Sequence, residues 1–247
     1  MEKYTEFSDS VTGINPYIRI IKYQFTIFNM IVKLTVFKML VSLPVFLYKY
    51  AAGSFASVKY ENRETEKKIK SRKIFLSTYS SIFDVSLLHK ILKSPSVYLL
   101  RNGKIFAVSR HNMIKPADKS EIDKKVETGR VVVFMMAGGI TNGTIYTNPS
   151  EVLEAVDVQQ VLSLKYSPDA TYDINLFDIC ILPQFSSQVV AFLYHLFYYL
   201  TIPRVPVCTV SAADTLEDLS EKTRVEISRS IDSKTTEKFL KKFSFAK

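Results

Sequence analysis

The run from Val131 to Met136 is the feature that most limits how this chain can fold. It is short, continuous, apolar and rich in β-branched residues, and Gly138 and Gly139 follow it closely. A run with no polar alternation is typical of a strand that is buried on both faces, as in the centre of a sheet with helices on each side. The run therefore predicts an α/β fold.

Other short apolar runs alternate with segments of helical period on either side of this strand. Strands are expected at Lys73 to Leu76, Val97 to Leu100, Lys104 to Val108, Gln160 to Tyr166 and Pro206 to Val210. Helices are expected at Asp84 to Leu92, Lys119 to Glu127, Ser187 to Leu200 and Leu216 to Ile231. Asp214 or Thr215 is the expected N-cap of the last helix. This alternation predicts a mixed sheet covered by helices.

The most apolar part of the chain lies before this pattern, from Phe25 to Tyr50. Lys33, Lys38 and Pro44 interrupt it, and Pro44 breaks or kinks a helix. Because a membrane span needs roughly 20 apolar residues, we expect two helices that dip into one leaflet, with the lysines at the head groups. A true span and a water-soluble helix pair are the alternatives. The predicted division is a membrane-associated region 1–58 and an α/β domain 59–247.

Composition favours a membrane surface as the partner. Hydrophobic residues make up 47% of the 247 residues, and the formal net charge is +9. Such a chain suits anionic lipid, whereas nucleic acid is not expected because no known nucleic-acid-binding motif occurs. Lys59 to Lys73 is predicted to be a solvated, charged connection. Cys180 and Cys208 lack metal-ligand spacing and are expected to be buried thiols, which favours a reducing compartment.

Two polar motifs follow predicted strands. In the first, Tyr79, Ser81 and Asp84 lie between a strand and the start of a helix. Asp84 there is either an ordinary acid favoured by the helix dipole or a residue with a chemical role, and Ser81 could bond to it or cap the helix.

The second motif is a glycine-rich loop after the central strand. Its polar and glycine residues are Gly138, Gly139, Thr141, Asn142 and Gly143. Backbone N–H groups of such a loop can hold an anion, and the alternative is a tight turn that needs positive φ.

The order of these features resembles the glycerolipid acyltransferase family, which acylates lysophospholipids and glycerol phosphate. The resemblance covers most of Lys73 to Ile231, and the N-terminal residues Thr12 to Tyr17 resemble a divergent fungal branch that uses lysophosphatidic acid and oleoyl-CoA. The family's first motif is Asn-His-x-Ser-x-x-Asp, and this chain has Tyr79 in place of the histidine. Its second motif is Phe-Pro-Glu-Gly-Thr, and here glycine or alanine stands where the glutamate should be.

The resemblance implies an acyl transfer in which a lysophospholipid hydroxyl attacks the thioester of acyl-CoA. Asp84 would orient the catalytic base, and the loop from Gly138 to Gly143 would lie near the acceptor. Arg110 resembles the family's phosphate-binding arginine, and Arg204 lies in a stretch that resembles its proline-bearing motif. Both are therefore candidates for binding a substrate phosphate; the alternative for each is a solvated arginine. Tyr79 has an ordinary pKa near 10 and is expected to donate rather than to act as a base. His111 is the histidine we would test as a replacement.

The predicted function is therefore that of a membrane-associated acyltransferase homologue in glycerolipid synthesis, with activity impaired by the missing histidine and glutamate. The alternative is a catalytically inactive lipid-binding or scaffold protein. The resemblance implies the cytosolic face of the endoplasmic reticulum or of lipid droplets. Membrane lipids, a lysophospholipid and acyl-CoA are the expected partners; acyl-CoA would be a co-substrate, and neither a bound cofactor nor a metal is expected.

Overall fold

The part of the chain that the structure describes forms an eight-stranded mixed sheet with six α-helices. The computed structural model describes residues 2–17, 31, 57–81, 84–109, 114–136, 141–166 and 207–243. The strands are β1 Ser57–Tyr60, β2 Ile74–Ser77, β3 Ser96–Arg101, β4 Lys104–Val108, β5 Ile114–Ala117, β6 Val132–Met135, β7 Gln160–Tyr166 and β8 Val207–Ala213. The prediction of an α/β fold with a mixed sheet is confirmed.

The sheet has the order β1-β8-β7-β2-β6-β3-β4-β5. Its four central strands, β7, β2, β6 and β3, run parallel to one another. β4 and β8 run against their central neighbours, and β1 follows β8 in parallel. The four parallel strands therefore end together at one side of the sheet, which we call the carboxyl edge.

The core lies on both faces of the sheet, as the apolar run predicted. All four residues of β6 are buried, and they alternate between two clusters: Val133 and Met135 on one face, Val132 and Phe134 on the other. A strand that is apolar at every position is stable only where helices exclude water from each face. β6 is therefore the central strand that the sequence predicted.

The helices are α1 Arg63–Ser71, α2 Asp84–Ile91, α3 Lys119–Glu127, α4 Ser150–Ala155, α5 Leu216–Thr223 and α6 Ser233–Phe243. In α2, the apolar residues Val85, Leu87, Leu88 and Ile91 are buried, as predicted. Thr215 is confirmed as the N-cap of α5, because its side chain accepts a hydrogen bond of 3.1 Å from the backbone N–H of Asp218.

The predicted closing helix from Leu216 to Ile231 was wrong in its extent. α5 ends at Thr223 because Arg224 adopts a left-handed conformation with φ of 54°. The chain that follows is not helical, and Ile227 forms a parallel bridge with Tyr146. A separate helix, α6, closes the described chain.

The predicted connection from Lys59 to Lys73 is largely solvated, as expected, but it forms regular structure and is not a simple link. Its first residues belong to β1, which pairs with β8, and most of the rest forms α1. Asn62 caps α1 by accepting a 2.7 Å hydrogen bond from the backbone N–H of Thr65. Only Thr65 and Ile69 of this helix are buried, so its charged sequence gave little sign of a packed face.

The N-terminal segment 2–17 packs against α6. Phe7 and Tyr17 form an apolar cluster with Ile231 and Phe239, and the ring of Tyr17 stacks on that of Phe239 at 4.5 Å between centroids. Next to this cluster, the Asp9 carboxylate accepts hydrogen bonds from the hydroxyls of Thr12, Ser228 and Ser230. Burial works to raise the pKa of Asp9, but these hydrogen bonds outweigh it and hold the pKa below its ordinary value.

Some predicted elements lie outside the described residues: the apolar region from Phe25 to Tyr50 apart from Ile31, the helix from Ser187 to Leu200, and Cys180. Cys208 is described and is buried, as predicted. Among the described helices, none combines the length and the apolar character needed to cross a membrane. The division at residue 58 stays a prediction, although β1 already begins at Ser57.

Removal of the Phe239 ring should detach the N-terminal segment from α6. Phe239 is fully buried between Phe7 and Tyr17, so Phe239→Ala leaves a cavity between two parts of the chain. We expect the free energy of unfolding to fall by about 3 kcal/mol, measured by urea unfolding in mild detergent. Lys238→Ala, at an exposed position beside it, is the control and should change stability by less than about 0.5 kcal/mol. An equal effect of the two substitutions would contradict the packing.

Candidate functional site

The Asp84 carboxylate is the centre of the polar groups at the carboxyl edge. It is fully buried at the first turn of α2. Its Oδ2 accepts hydrogen bonds from the backbone N–H groups of Ser80 at 2.6 Å and Ser81 at 2.9 Å. Its Oδ1 accepts a short hydrogen bond from the hydroxyl of Tyr166, the last residue of β7. Both oxygens are therefore engaged by groups from two elements.

The connection between β2 and α2 holds Asp84 in this position. Thr78 fastens the start of this connection to β7, because its N–H donates to the Leu162 carbonyl at 3.0 Å and its hydroxyl accepts from the Leu164 N–H at 2.9 Å. The chain then turns so that two successive N–H groups point at the carboxylate. This geometry is a local side-chain to backbone cap of the kind that Asp favours at helix starts.

Burial gives Asp84 a proton affinity suited to neutral pH. Desolvation raises its pKa from 3.8 to about 7, against the opposing effect of the hydrogen bonds from Tyr166, Ser80 and Ser81. A carboxyl group with a pKa near the working pH can both accept and release a proton. Asp84 therefore has the acid–base character that sequence reasoning sought in a histidine.

Two neighbouring groups stay protonated. Burial raises the pKa of Tyr79, and the Asp84 charge raises it further against an opposing effect of Arg101. Burial likewise raises the pKa of the Cys208 thiol, again with a contribution from Asp84. At neutral pH, Tyr79 is therefore not a base and Cys208 is not a thiolate nucleophile.

The second motif packs directly on the first. The N–H of Thr141 donates to the Tyr79 carbonyl at 2.8 Å. Gly143 has φ of 71°, and a Cβ placed on it would lie 3.2 Å from the Cβ of Ser80. Thr141 and Gly143 thus contact the Asp84 segment, whereas Gly138 and Gly139 lie outside the described residues. The predicted role of this loop near the acceptor stays a prediction.

Asn142 joins this loop to the N-terminal segment, a contact that the sequence did not reveal. Its backbone N–H donates to the Pro16 carbonyl at 2.6 Å, and its side-chain amide donates to the Asn15 carbonyl at 2.8 Å. Its side-chain oxygen accepts from the Thr144 N–H at 3.0 Å. In this structure Asn142 connects parts of the protein, and its predicted contact with a substrate stays a prediction.

Sequence reasoning missed two residues at this edge, Tyr166 and Arg101. Each ends one of the central parallel strands, β7 and β3. Burial lowers the pKa of Arg101, while Glu237 and Tyr79 act to raise it, so this arginine lies within electrostatic reach of the first motif. Their positions at strand ends could have indicated them, because functional groups in α/β proteins collect where parallel strands end.

Arg110 and Arg204 lie outside the described residues, so their substrate contacts stay predictions. β4 ends at Val108, which pairs with Val97 near the start of β3, on the side opposite the carboxyl edge. β8 begins at Val207, next to the pair of Cys208 with Tyr166 at the carboxyl edge.

A small cavity lies beside the two motifs. Its lining includes Tyr79, Met136, Thr141 and Thr147, and its volume is about 10 Å³. The Thr147 hydroxyl is buried there without a hydrogen-bond partner. This space accommodates about one water molecule, which the Thr147 hydroxyl would bind. The cavity itself is too small for a lipid head group.

The described residues contain no group of three or more His, Cys, Asp or Glu side chains arranged to hold a metal ion. In comparisons with known proteins, no family model, no curated protein and no solved structure matches this chain. The site is therefore interpreted from its own residues.

The raised pKa of Asp84 predicts a specific pH dependence of stability. Its pKa is near 7 in the folded protein and near the ordinary 3.8 in the unfolded chain, so the folded state binds more protons between these values. The contribution of this group to the free energy of unfolding is therefore greatest below about pH 4 and falls until about pH 7. The fall is roughly 1.4 kcal/mol per pH unit well inside that window.

This dependence can be isolated with Asp84→Asn, which cannot ionise at this position. We expect the natural chain to lose stability relative to Asp84→Asn as the pH rises from 4 to 7. Urea unfolding at several pH values measures it, and other titrating groups cancel in the difference. A difference that does not vary with pH would contradict the raised pKa.

Gly143 should tolerate alanine less well than Gly103. Both have left-handed φ, 71° and 69°, but a Cβ at Gly143 meets Ser80 whereas a Cβ at Gly103 meets nothing within 4 Å. Each substitution costs roughly 1–2 kcal/mol of backbone strain. Gly143→Ala should destabilise further because it pushes the loop away from the Asp84 segment, and urea unfolding of both variants checks this. Equal losses of unfolding free energy in the two variants would show that the close packing of Gly143 on Ser80 does not contribute to stability.

Proposed function

We propose that this chain is a membrane-associated homologue of the lysophospholipid acyltransferases, which transfers an acyl group from acyl-CoA to lysophosphatidic acid or a related acceptor with impaired efficiency. The observation that carries the proposal is the meeting of two motifs. The buried Asp84 segment and the Thr141 to Gly143 loop are far apart in sequence but contact each other through Tyr79 and Ser80. The family needs such a meeting of its base and acceptor motifs.

Asp84 and Tyr166 provide a route for the proton in the absence of the histidine. Tyr166 donates its hydroxyl proton to a carboxylate whose pKa lies near neutrality. In the proposed step, the acceptor hydroxyl gives its proton to the Tyr166 oxygen while Tyr166 passes its own proton to Asp84. The acceptor oxygen bonds to the thioester carbon, the carbon–sulfur bond breaks, and the proton returns through Tyr166 to the departing CoA thiolate.

The expected impairment has two sources. Asp84 is fully buried with both oxygens engaged, so it acts only through Tyr166 and not on the substrate directly. The described second motif also lacks a carboxylate near the acceptor position. General acid–base catalysis is typically worth on the order of 10²–10⁴-fold, so a less direct proton route slows the reaction by a large factor.

The membrane location is supported by the apolar segment that lies between the described parts. It starts after Tyr17 and ends before Ser57, and it contains the region from Phe25 to Tyr50. We propose the cytosolic face of the endoplasmic reticulum or of lipid droplets, with lipid, lysophospholipid and acyl-CoA as partners and without nucleic acid. The acyltransferase-like character of the fold and the membrane-associated N-terminal helices are part of the same proposal.

A second candidate is a catalytically inactive lipid-binding or scaffold protein. One observation favours it: the cavity beside the two motifs, at about 10 Å³, has room for about one water molecule and is too small for a head group. In this case Asp84 serves only to fasten the start of α2 to β7. Tyr79 and Ser81, which lie with Asp84 in the stretch that resembles the family's catalytic motif, would then have structural roles.

The test is an acyl-transfer assay on the full chain in nanodiscs, with labelled oleoyl-CoA and lysophosphatidic acid. We expect slow transfer by the natural chain and a loss on the order of 10²-fold in both Asp84→Asn and Tyr166→Phe. Tyr98→Phe is the matched control, because Tyr98 is also buried and bonded through its hydroxyl, but to Lys125 on the other face of the sheet. It should keep full activity.

Unfolding free energies of the three variants separate a loss of chemistry from a loss of fold. Transfer that survives in Tyr166→Phe would rule out the proton route through Tyr166. No transfer by the natural chain, together with retained binding of lysophosphatidic acid, would overturn the acyltransferase proposal and support the second candidate.

A further inference from the structure

We propose that the exposed lysine face of α6 docks on an anionic membrane surface. This inference rests on the membrane association proposed above but not on acyl transfer. The face, which we call the α6 basic face, consists of Lys234, Lys238, Lys241 and Lys242. α6 carries these four lysines and one acidic residue, Glu237, so its net charge is +3.

The lysines share one side of the helix. At 100° per residue they fall within an arc of about 100°, and all four are exposed. The opposite side is covered, because Phe239 and Thr236 pack against Tyr17 of the N-terminal segment. The described apolar side of α6 is thus engaged within the protein, so the contact that we propose with a membrane is electrostatic.

Two of the four lysines have carboxylate partners within the protein. Lys241 pairs with Glu237 at 2.7 Å and Lys242 with Glu6 at 2.5 Å. Lys234 and Lys238 form no ion pair with any residue that the structure describes. These two charges are available to an external anion, which makes them the residues that a test should change.

The position of α6 selects a membrane over other anionic partners. The undescribed segment 18–56 leaves the described structure at Tyr17, which is buried against α6. Its apolar part starts at Phe25, eight residues later, and eight residues reach at most about 28 Å. A helix is only about 10–12 Å across, so a membrane that holds Phe25 lies within reach of the α6 basic face.

The other end of the same segment points to the same side. It rejoins the described chain at Ser57, which pairs with Val207 next to the Cys208 and Tyr166 pair. α6 begins there too, since its first residue, Ser233, accepts a 3.4 Å hydrogen bond from Asn102 directly after β3. Ser57 and the start of α6 therefore lie at the carboxyl edge, and this edge of the domain would face the lipid.

Protection of lysines from chemical acetylation tests the contact. The full chain is reconstituted in nanodiscs of phosphatidylcholine, with or without phosphatidylserine, and acetylation is measured by mass spectrometry. Lys234 and Lys238 should be acetylated several-fold more slowly with phosphatidylserine, because each lysine near an anionic leaflet gains roughly fivefold in binding. High salt should remove the protection.

Lys90 and Lys124 are the internal controls. Both are exposed, and they lie near the ends of α2 and α3, away from α6. Their acetylation should not depend on the lipid. In the double variant Lys234→Glu with Lys238→Glu, Lys241 and Lys242 should lose their lipid-dependent protection, whereas the charge-matched variant Lys90→Glu with Lys124→Glu should retain it.

The outcomes separate this inference from the proposed function. If the chain does not stay with the nanodisc, the proposed membrane association itself fails. If it stays but α6 is acetylated equally with and without phosphatidylserine, only the docking inference is overturned. Equal protection of the control lysines would indicate a non-specific charge effect. Protection by added RNA but not by lipid would assign the α6 basic face to nucleic acid. Either result would overturn the inference.

Discussion

The rest of the carboxyl edge depends on the buried carboxylate of Asp84. This fully buried group accepts hydrogen bonds from two backbone N–H groups and from the hydroxyl of the half-buried Tyr166. These contacts fix the connection between β2 and α2 and hold it to the end of β7. The Thr141 to Gly143 loop packs on that connection, and Asn142 in turn holds the N-terminal segment. A single residue thus organises contacts between four segments that are distant in sequence.

Such a carboxylate is costly for a purely structural purpose. Burial opposes its charge, so its pKa lies near 7 and its ionised form destabilises the fold at neutral pH. Asp9 fills a structural role at lower cost, because its hydrogen bonds keep its pKa below the ordinary value. The contrast between the two supports a chemical origin for the Asp84 site, since perturbed carboxyl groups collect at functional sites.

The sequence predicted the elements whose pattern is strong and missed those whose partners are remote. β6 was predicted because every residue is apolar, and α2 because its buried positions recur with helical period. α1 was missed because Ile69 is its only buried apolar residue. Tyr166 was seen only as the end of a strand. Its contact with Asp84 depends on β7 lying beside β2, and no local pattern specifies that strand order.

The same strand order is relevant to the proposed location of this site beside a membrane. Tyr17 is held through Asn142 and α6, and Ser57 begins β1 at the carboxyl edge, so both ends of segment 18–56 are tied to the side that contains Asp84. A lipid acceptor cannot leave the bilayer without exposing its acyl chain to water, which costs about 0.8 kcal/mol per CH₂. On the proposed function, the site must therefore approach the lipid. A fold that holds Tyr17 and Ser57 on the side of its buried carboxylate is compatible with that requirement, whether the lipid is acylated or only bound.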